Sequence, residues 1–299
     1  MSDSRNIADV LKDDGHRAGT IQNMPREMYD SLHRLNFSSV KEGLLGAFDV
    51  DTGMIKETYE QTRPDPTVSQ QDSFDSGNLM HLIVLQPELI VDRVAVWRGG
   101  DRRGRDWETF KIEHAGKTIM KEAEVRAVQF ACREFRQIPR IRELLQPCDT
   151  EVTVLVKEGP FFCKCRIDGV TRADRDLCVI VDPKTSRHGN DEHSVLTTIR
   201  KFRYREQLGI YARWLTAATG REVDAVYLLF LSLPPQRLGA AVVKITTMAL
   251  EWGANRVLDA MEQLHESIET DRWPVFCGDY ISDVSSFEMD DVEIEGLEA

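Results

Sequence analysis

Arg166-Ile-Asp-Gly-Val-Thr-Arg-Ala-Asp-Arg-Asp-Leu-Cys-Val-Ile-Val-Asp-Pro-Lys-Thr-Ser186 sets two acids and a lysine around what reads as a strand hairpin. Within it, Leu177 to Val181 is short, apolar and rich in β-branched residues, which is the composition of a buried strand. Polar residues resume where that strand should end. Side chains two apart on a strand share a face, so Asp182 and Lys184 project together while Val181 and Pro183 point the other way. Upstream, Phe161 to Asp168 reads as the preceding strand, and a turn through Ala173 to Asp176 would bring Asp168 beside Asp182.

Two carboxylates and a lysine gathered in this way suit phosphodiester hydrolysis. Hard Mg²⁺ takes carboxylate oxygens, and one or two such ions stabilise both the attacking and the leaving oxygen. Lys184 would orient the attacking water or steady the phosphoryl charge. Asp-x-Lys alone describes a strand ending in a solvated turn equally well, so the rest of the chain has to decide.

At 299 residues the chain has room for one large domain or two ordinary ones. Hydrophobic content of 41% and charged content of 29% fit a globular protein. No apolar run approaches the roughly 20 residues of a membrane span, and Met1 to Asp9 lacks the apolar core of a signal peptide. A cytoplasmic protein with no membrane partner is expected. The six cysteines lack disulfide-framework spacing and are expected to be reduced. Cys163 and Cys165 share a strand face, but no further Cys or His completes a thiolate metal site. With 38 basic against 50 acidic residues, net charge −12 excludes non-specific coating of nucleic acid by the whole surface, while a local basic channel stays open. Glu288 to Glu298 holds six acidic residues and no basic one, which reads as a solvated end or a partner-docking segment.

Residues 1–24 carry no periodicity and read as loose. A helical segment over 25–75 follows, with an amphipathic helix from Pro25 to Leu35, Ser38-Ser39 as a cap for the next, and a polar loop from Thr62 to Ser76. The core spans 76–278 and an acidic tail 279–299. Leu79 to Leu85 reads as a buried helix introduced by Ser76-Gly77 and ended by Pro87, and the His81 inside it would ordinarily be a core residue. Arg98 to Arg105, with Trp107 close behind, reads as a flexible surface loop or as a phosphate-binding arm whose glycines let several guanidinium groups approach one backbone. Met120 to Gln137 and Arg140 to Leu145 have helical spacing, with Arg133, Arg136, Arg140 and Arg142 on a solvated face. Glu151 to Val156 alternates as a strand, turning at Gly159-Pro160. Thr198 to Ala218 reads as one long helix in which Tyr204, Gln207 and Tyr211 share a face. Two strands (Asp224 to Leu233, Ala240 to Thr246) and a closing helix (Leu250 to Ile268) complete a mixed α/β sheet flanked by helices.

Four segments carry a resemblance. Ser76-Gly-Asn-Leu-Met-His81-Leu-Ile-Val-Leu-Gln-Pro-Glu88, Lys164-Cys-Arg-Ile-Asp168, Val181-Asp-Pro-Lys-Thr185 and Tyr204-Arg-Glu-Gln207-Leu-Gly-Ile-Tyr211 resemble, in order, the motifs of the RecE-like (exodeoxyribonuclease VIII type) branch of the PD-(D/E)XK nucleases, a branch related to the RecB nuclease domain and phage λ-type exonucleases. The resemblance implies a restriction-endonuclease-like α/β core, a mixed central sheet flanked by helices with an N-terminal helical extension. It implies Mg²⁺, or Mn²⁺ in its place, held by His81, Asp168 and Asp182. Lys184, Gln207 and Tyr211 would complete the catalytic set, with Glu151 and Tyr204 behind it. Arg102, Arg103, Arg105 and Arg166 would meet DNA. The implied activity is degradation of linear double-stranded DNA from its ends, 5′ to 3′, leaving 3′ single-stranded tails for recombination. The implied partners are DNA ends, a single-strand annealing recombinase and other copies of the chain in a ring (trimer or tetramer), in a bacterial or phage-infected cell. The alternatives are a structure-specific or single-strand endonuclease on the same core, and a module that binds DNA or a recombination partner without cutting. Pro183 stands where the motif usually has leucine, and a local kink is expected there.

Overall fold

The computed structural model describes residues 11–32, 34–40, 68–172, 176–186, 189–233, 239–272 and 292–295. Its centre is a seven-stranded sheet in the order β1-β4-β5-β6-β7-β8-β9. These strands are β1 (Gly19–Ile21), β4 (Cys148–Glu158), β5 (Phe161–Arg172), β6 (Leu177–Ser186), β7 (Glu222–Ser232), β8 (Gly239–Ile245) and β9 (Val292–Glu295). Only β6 and β7 run parallel, so the sheet is mixed, as the sequence implies. A separate parallel pair joins β2 (Val94–Trp97) to β3 (Thr118–Lys121).

Helices cover both sheet faces, and β7 shows why. Its residues alternate between two cores: Val226, Leu228 and Phe230 on one side, and Tyr227, Leu229 and Leu231 on the other. A strand buried on both faces must be apolar throughout, hence the unbroken run from Ala225 to Leu231. The first core packs under α8 (Glu192–Phe202), α9 (Tyr204–Thr219) and α10 (Thr247–Thr270). The second packs under α3 (Val68–Leu85), α6 (Glu122–Gln137) and α7 (Pro139–Leu144). In α6 the buried Val125, Val128, Ala131, Cys132 and Phe135 recur every three or four residues, one face of a helix. Arg136 and Arg140 stay at the surface, as expected, while their guanidinium groups donate to the Val84 carbonyl at 2.6 Å and the Tyr227 hydroxyl at 2.8 Å.

The N-terminal extension lies on β5. Leu35 bridges Cys163, its N–H donating to Phe162 O and its carbonyl accepting from Lys164 N–H, both at 2.8 Å. α1 (Arg26–Ser31) and the single turn α2 (Phe37–Val40) flank that bridge. Lys164 is 3% exposed and donates to the carbonyls of Tyr29 and Leu32 at 2.5 and 2.9 Å, a second hydrogen bond to each at the end of α1. Either side of β2 stand α4 (Ile90–Arg93), which follows a 3-10 turn at Pro87–Leu89, and α5 (Arg105–Glu113).

Several boundaries differ from the sequence reading. α3 extends back to Val68, so Ser76 and Gly77 lie inside a helix, and residues 68–76 are not loop. Thr198 to Ala218 is two helices, because Arg203 adopts a left-handed conformation at φ 57° between α8 and α9. No irregularity appears at Pro183; the register shift in β6 falls between Cys178 and Val179. The acidic end supplies a strand, β9, antiparallel to β8, consistent with the alternating Val-Glu-Ile-Glu of residues 292–295. The turn through Ala173, Asp174 and Arg175 and most of the acidic segment lie outside the described residues, as do residues 1–10 of the expected loose N-terminus. Among the described residues no helix is long and apolar enough to cross a membrane.

Candidate active site

The β5–β6 ladder ends at the pair Gly169–Val181, and the next residues along, Asp168 and Asp182, sit where the two strands part. The same point is irregular on the other side of β5. The β4–β5 ladder passes from Thr150–Gly169 to Val152–Ile167, leaving Glu151 opposite Asp168 unpaired and at φ 51°. A non-glycine residue held in left-handed backbone carries strain, and such residues cluster at functional sites.

Around that opening the side chains converge. Lys184 Nζ lies 2.5 Å from Asp182 Oδ1 and 3.8 Å from Asp168 Oδ2. The two carboxyl groups are within hydrogen-bonding reach of each other. From α3, His81 Nδ1 approaches Asp168 Oδ2 at 3.4 Å, and its imidazole is also hydrogen-bonded to the Pro183 carbonyl. His81 is therefore not solely a core residue; it lies between α3 and the open end of the hairpin. Tyr204, at the start of α9, places its ring 5.2 Å from Lys184 Nζ. The break at Arg203 is what lets α9 begin there. One turn on, Gln207 Nε2 donates to the Tyr211 hydroxyl at 3.3 Å. α9 is held by close contact with α10: a Cβ on Gly209 would fall 2.2 Å from Leu250 O, and one on Gly253 2.3 Å from Arg205 O.

Charge in this pocket does not balance. Asp182 has a side-chain exposure of 6%, Lys184 of 18% and Asp168 of 20%, so two acids share one ammonium largely out of water. Burial pushes Asp182 up to about 7, Lys184 opposing and Asp168 reinforcing the shift. Burial also raises Asp168, again against Lys184. Lys184 is held above its usual range, because the two carboxylates outweigh its desolvation. Burial and the Lys184 charge depress His81 to about 4, so its imidazole is neutral at physiological pH and has a ring nitrogen to offer a cation. Burial raises Tyr204 to about 12 and holds Tyr211 well above its ordinary value.

His81, Asp168, Glu151, Arg166 and Tyr211 line one wall of a cleft of about 1250 Å³. Arg26 and Tyr29 of α1 line the same cleft, as do Arg93, Gly116 and Thr118. Nothing in the sequence marked Arg26, Tyr29 or Arg93, because only the tertiary fold carries them to β5. Arg166 lines the cleft but is already engaged, 3.4 Å from Glu151 Oε2, 3.0 Å from Met24 O and stacked on Tyr29 at 4.5 Å. Arg102, Arg103 and Arg105 are not among the lining residues; Arg102 pairs with Glu124 at 2.9 Å and Arg103 with Asp101 at 2.8 Å. Cys163 and Cys165 are fully buried in the first core, their thiols pushed up by desolvation.

A family model described as a PDDEXK-like domain of unknown function (DUF3799) matches residues 53–282. Among solved structures, the chain is similar to a protein from Eubacterium rectale described as a "putative exonuclease", with a TM-score of 0.55 and 12% identity over 88% of this chain and 92% of that one. SSO0001 aligns at 19% identity over 50% of this chain and 68% of that one, with a TM-score of 0.24, too low to bear on the fold. No curated protein matches.

Proposed function

The chain belongs to the PDDEXK-like family, and on that premise we propose that it is a divalent-metal-dependent deoxyribonuclease that degrades linear duplex DNA from its ends. The observation that carries this is the buried acid pair, Asp168 and Asp182, sharing the ammonium of Lys184 behind an open cleft that Asp168 lines. Two acids held against their own repulsion form a site that gains from an added cation.

The donor chemistry fits such an ion. Among the described residues no three His, Cys, Asp or Glu side chains form a closed metal cage. Mg²⁺ does not require one, since it is held through one or two carboxylates with water and substrate phosphates making up the rest. Asp168 and Asp182 would supply the oxygens and the neutral His81 a nitrogen at the edge. When bound, the ion would neutralise charge on the scissile phosphate and promote ionisation of the attacking water. Lys184 stays an ammonium, so its part is to hold negative charge and orient water rather than to accept a proton. Tyr204 buttresses that ammonium through its ring, and the Gln207–Tyr211 pair presents a hydroxyl to the cleft.

The finer assignments follow from the RecE-like resemblance of the four motifs. They are Mg²⁺ rather than Mn²⁺, 5′ to 3′ polarity, 3′ single-stranded products, a ring of three or four copies, a single-strand annealing partner, and work in the cytoplasm. Linear duplex labelled at each 5′ end in turn tests them, incubated with Mg²⁺ and with chelator beside a closed circle of the same sequence. Release of labelled mononucleotide from linear DNA only, abolished by chelator, is expected. Cutting of the closed circle would indicate an endonuclease, and binding without release of label a non-cutting module.

A further inference from the structure

The excursion β2–α5–β3 is left unused by the site, although it holds the densest basic cluster in the sequence. Between Val94 and Lys121 there are seven basic and four acidic residues, in a chain whose net charge is −12. Its base reaches the cleft, since Arg93, Gly116 and Thr118 line it. Its outer layer, α5, has no buried residue. On α5, Trp107 packs edge-on against Trp97 at 5.3 Å, Phe110 does the same at 5.1 Å, and Lys111 lies 5.8 Å from the centre of the Trp107 ring.

The basic loop is wrapped onto these rings. Trp97 Nε1 donates to Gly100 O at 3.1 Å, and the indole lies so close to the backbone that a Cβ on Gly99 would fall 2.1 Å from it. Glycine is required there, and the result is that Arg98 and Arg103, 78% and 84% exposed, are displayed beside tryptophans that are only partly buried. The aromatic cluster alone would be a small internal core for the excursion. A core does not need a collar of exposed guanidinium groups, whereas a single nucleic-acid strand needs both parts: cations for its phosphates and ring faces for its unpaired bases. Duplex DNA offers no unpaired base to stack.

We propose that the β2–α5–β3 excursion is a single-strand binding arm, stacking a base on Trp107 and contacting phosphates through Arg98, Arg103 and Arg105. It rests on the nuclease reading only for the source of the strand, which would be the one left behind as a duplex end is resected at the adjoining cleft.

The test measures binding of a fluorescent oligo-dT of twelve nucleotides to the full chain in chelator, across a salt series, so that cleavage plays no part. Trp107→Leu keeps apolar packing on Trp97 but removes the aromatic face, and should weaken binding about 5- to 150-fold with an unchanged salt slope. Trp107→Phe should recover most of that loss. Arg98, Arg103 and Arg105 changed together to Gln should flatten the slope of log K against log salt by about 2, at ~0.7 per phosphate contact. A blunt hairpin duplex should compete poorly. Unchanged affinity in Trp107→Leu, equal loss in Trp107→Phe, or equal competition by the duplex would each overturn the arm. Failure of the nuclease reading would show separately, as intact oligo-dT binding in a chain that degrades no DNA with Mg²⁺.

Discussion

Replacing Asp182 by Asn should make the protein more stable above neutral pH while abolishing its metal-dependent chemistry. Asp182 is raised from 3.8 to about 7 in the folded chain, chiefly by burial. A folded value above the unfolded one means that the native state holds a proton the unfolded state has released. Between about pH 4 and 7 stability therefore falls as pH rises, and above 7 the full cost of the ionised carboxylate is present. Three units at about 1.4 kcal/mol each give an order of 4 kcal/mol, a figure that already includes the attraction of Lys184. Asn carries no charge, so Asp182→Asn should gain most of this at pH 8 and little at pH 4, with chelator present. Mg²⁺ should reverse the ranking in part: at one hundred times its dissociation constant it stabilises a binding-competent chain by ~2.7 kcal/mol, and the variant should not respond. Urea denaturation at pH 4.5 and 8, with and without Mg²⁺, measures both. A variant that is no more stable than the parent at pH 8 without metal would refute the uncompensated acid pair.

Lys184→Met leaves two buried carboxylates without their cation and should cost about 3–5 kcal/mol as well as activity, read by the same denaturation series. Asp14 pairs with Arg34, whose side chain is 1% exposed, and the hydrogen bond to Arg34 holds its carboxyl below the usual 3.8. That pair stabilises the N-terminal segment above pH 4 and is lost as pH falls through the depressed value, so Asp14→Asn should lower the melting temperature at pH 7 and progressively less as the pH is taken down below 4. Gly253→Ala forces a methyl group against the Arg205 carbonyl and should cost about 1–3 kcal/mol, with a lower turnover because α9 carries Tyr204 and Gln207; thermal melting and a kcat measurement check it.

Strand and helix content was legible where burial is simple. The β7 run, the α6 stripe and the β5–β6 hairpin all announce themselves through periodicity, and the hairpin places Asp168 beside Asp182 from register alone. The divided helix at Arg203 was not legible, because a left-handed arginine has no compositional marker, and the stacking of Phe202 on Tyr204 across it, at 5.7 Å, exists only in the folded chain. Nor was α3 seen at its full length, since the polar residues ahead of Leu79 look like loop until the helix is packed. His81 shows the limit for the site: its place on an apolar helix says core, and only the four motifs together suggested that it meets the acids. Lys164 and Arg166, from one of those motifs, also fasten the N-terminal segment to β5, through the Tyr29 and Leu32 carbonyls and the Met24 carbonyl, while Arg166 lines the cleft as well.

Nuclease chemistry at this cleft requires one cation position shared by residues from α3, β5 and β6. Titrating Mn²⁺ into the protein while following the paramagnetic signal of the free ion tests it directly. Saturable binding to each chain, lost together in Asp168→Asn and Asp182→Asn and weakened in His81→Ala, is the predicted result. Binding that survives both carboxylate changes, or none in the parent protein, would contradict it.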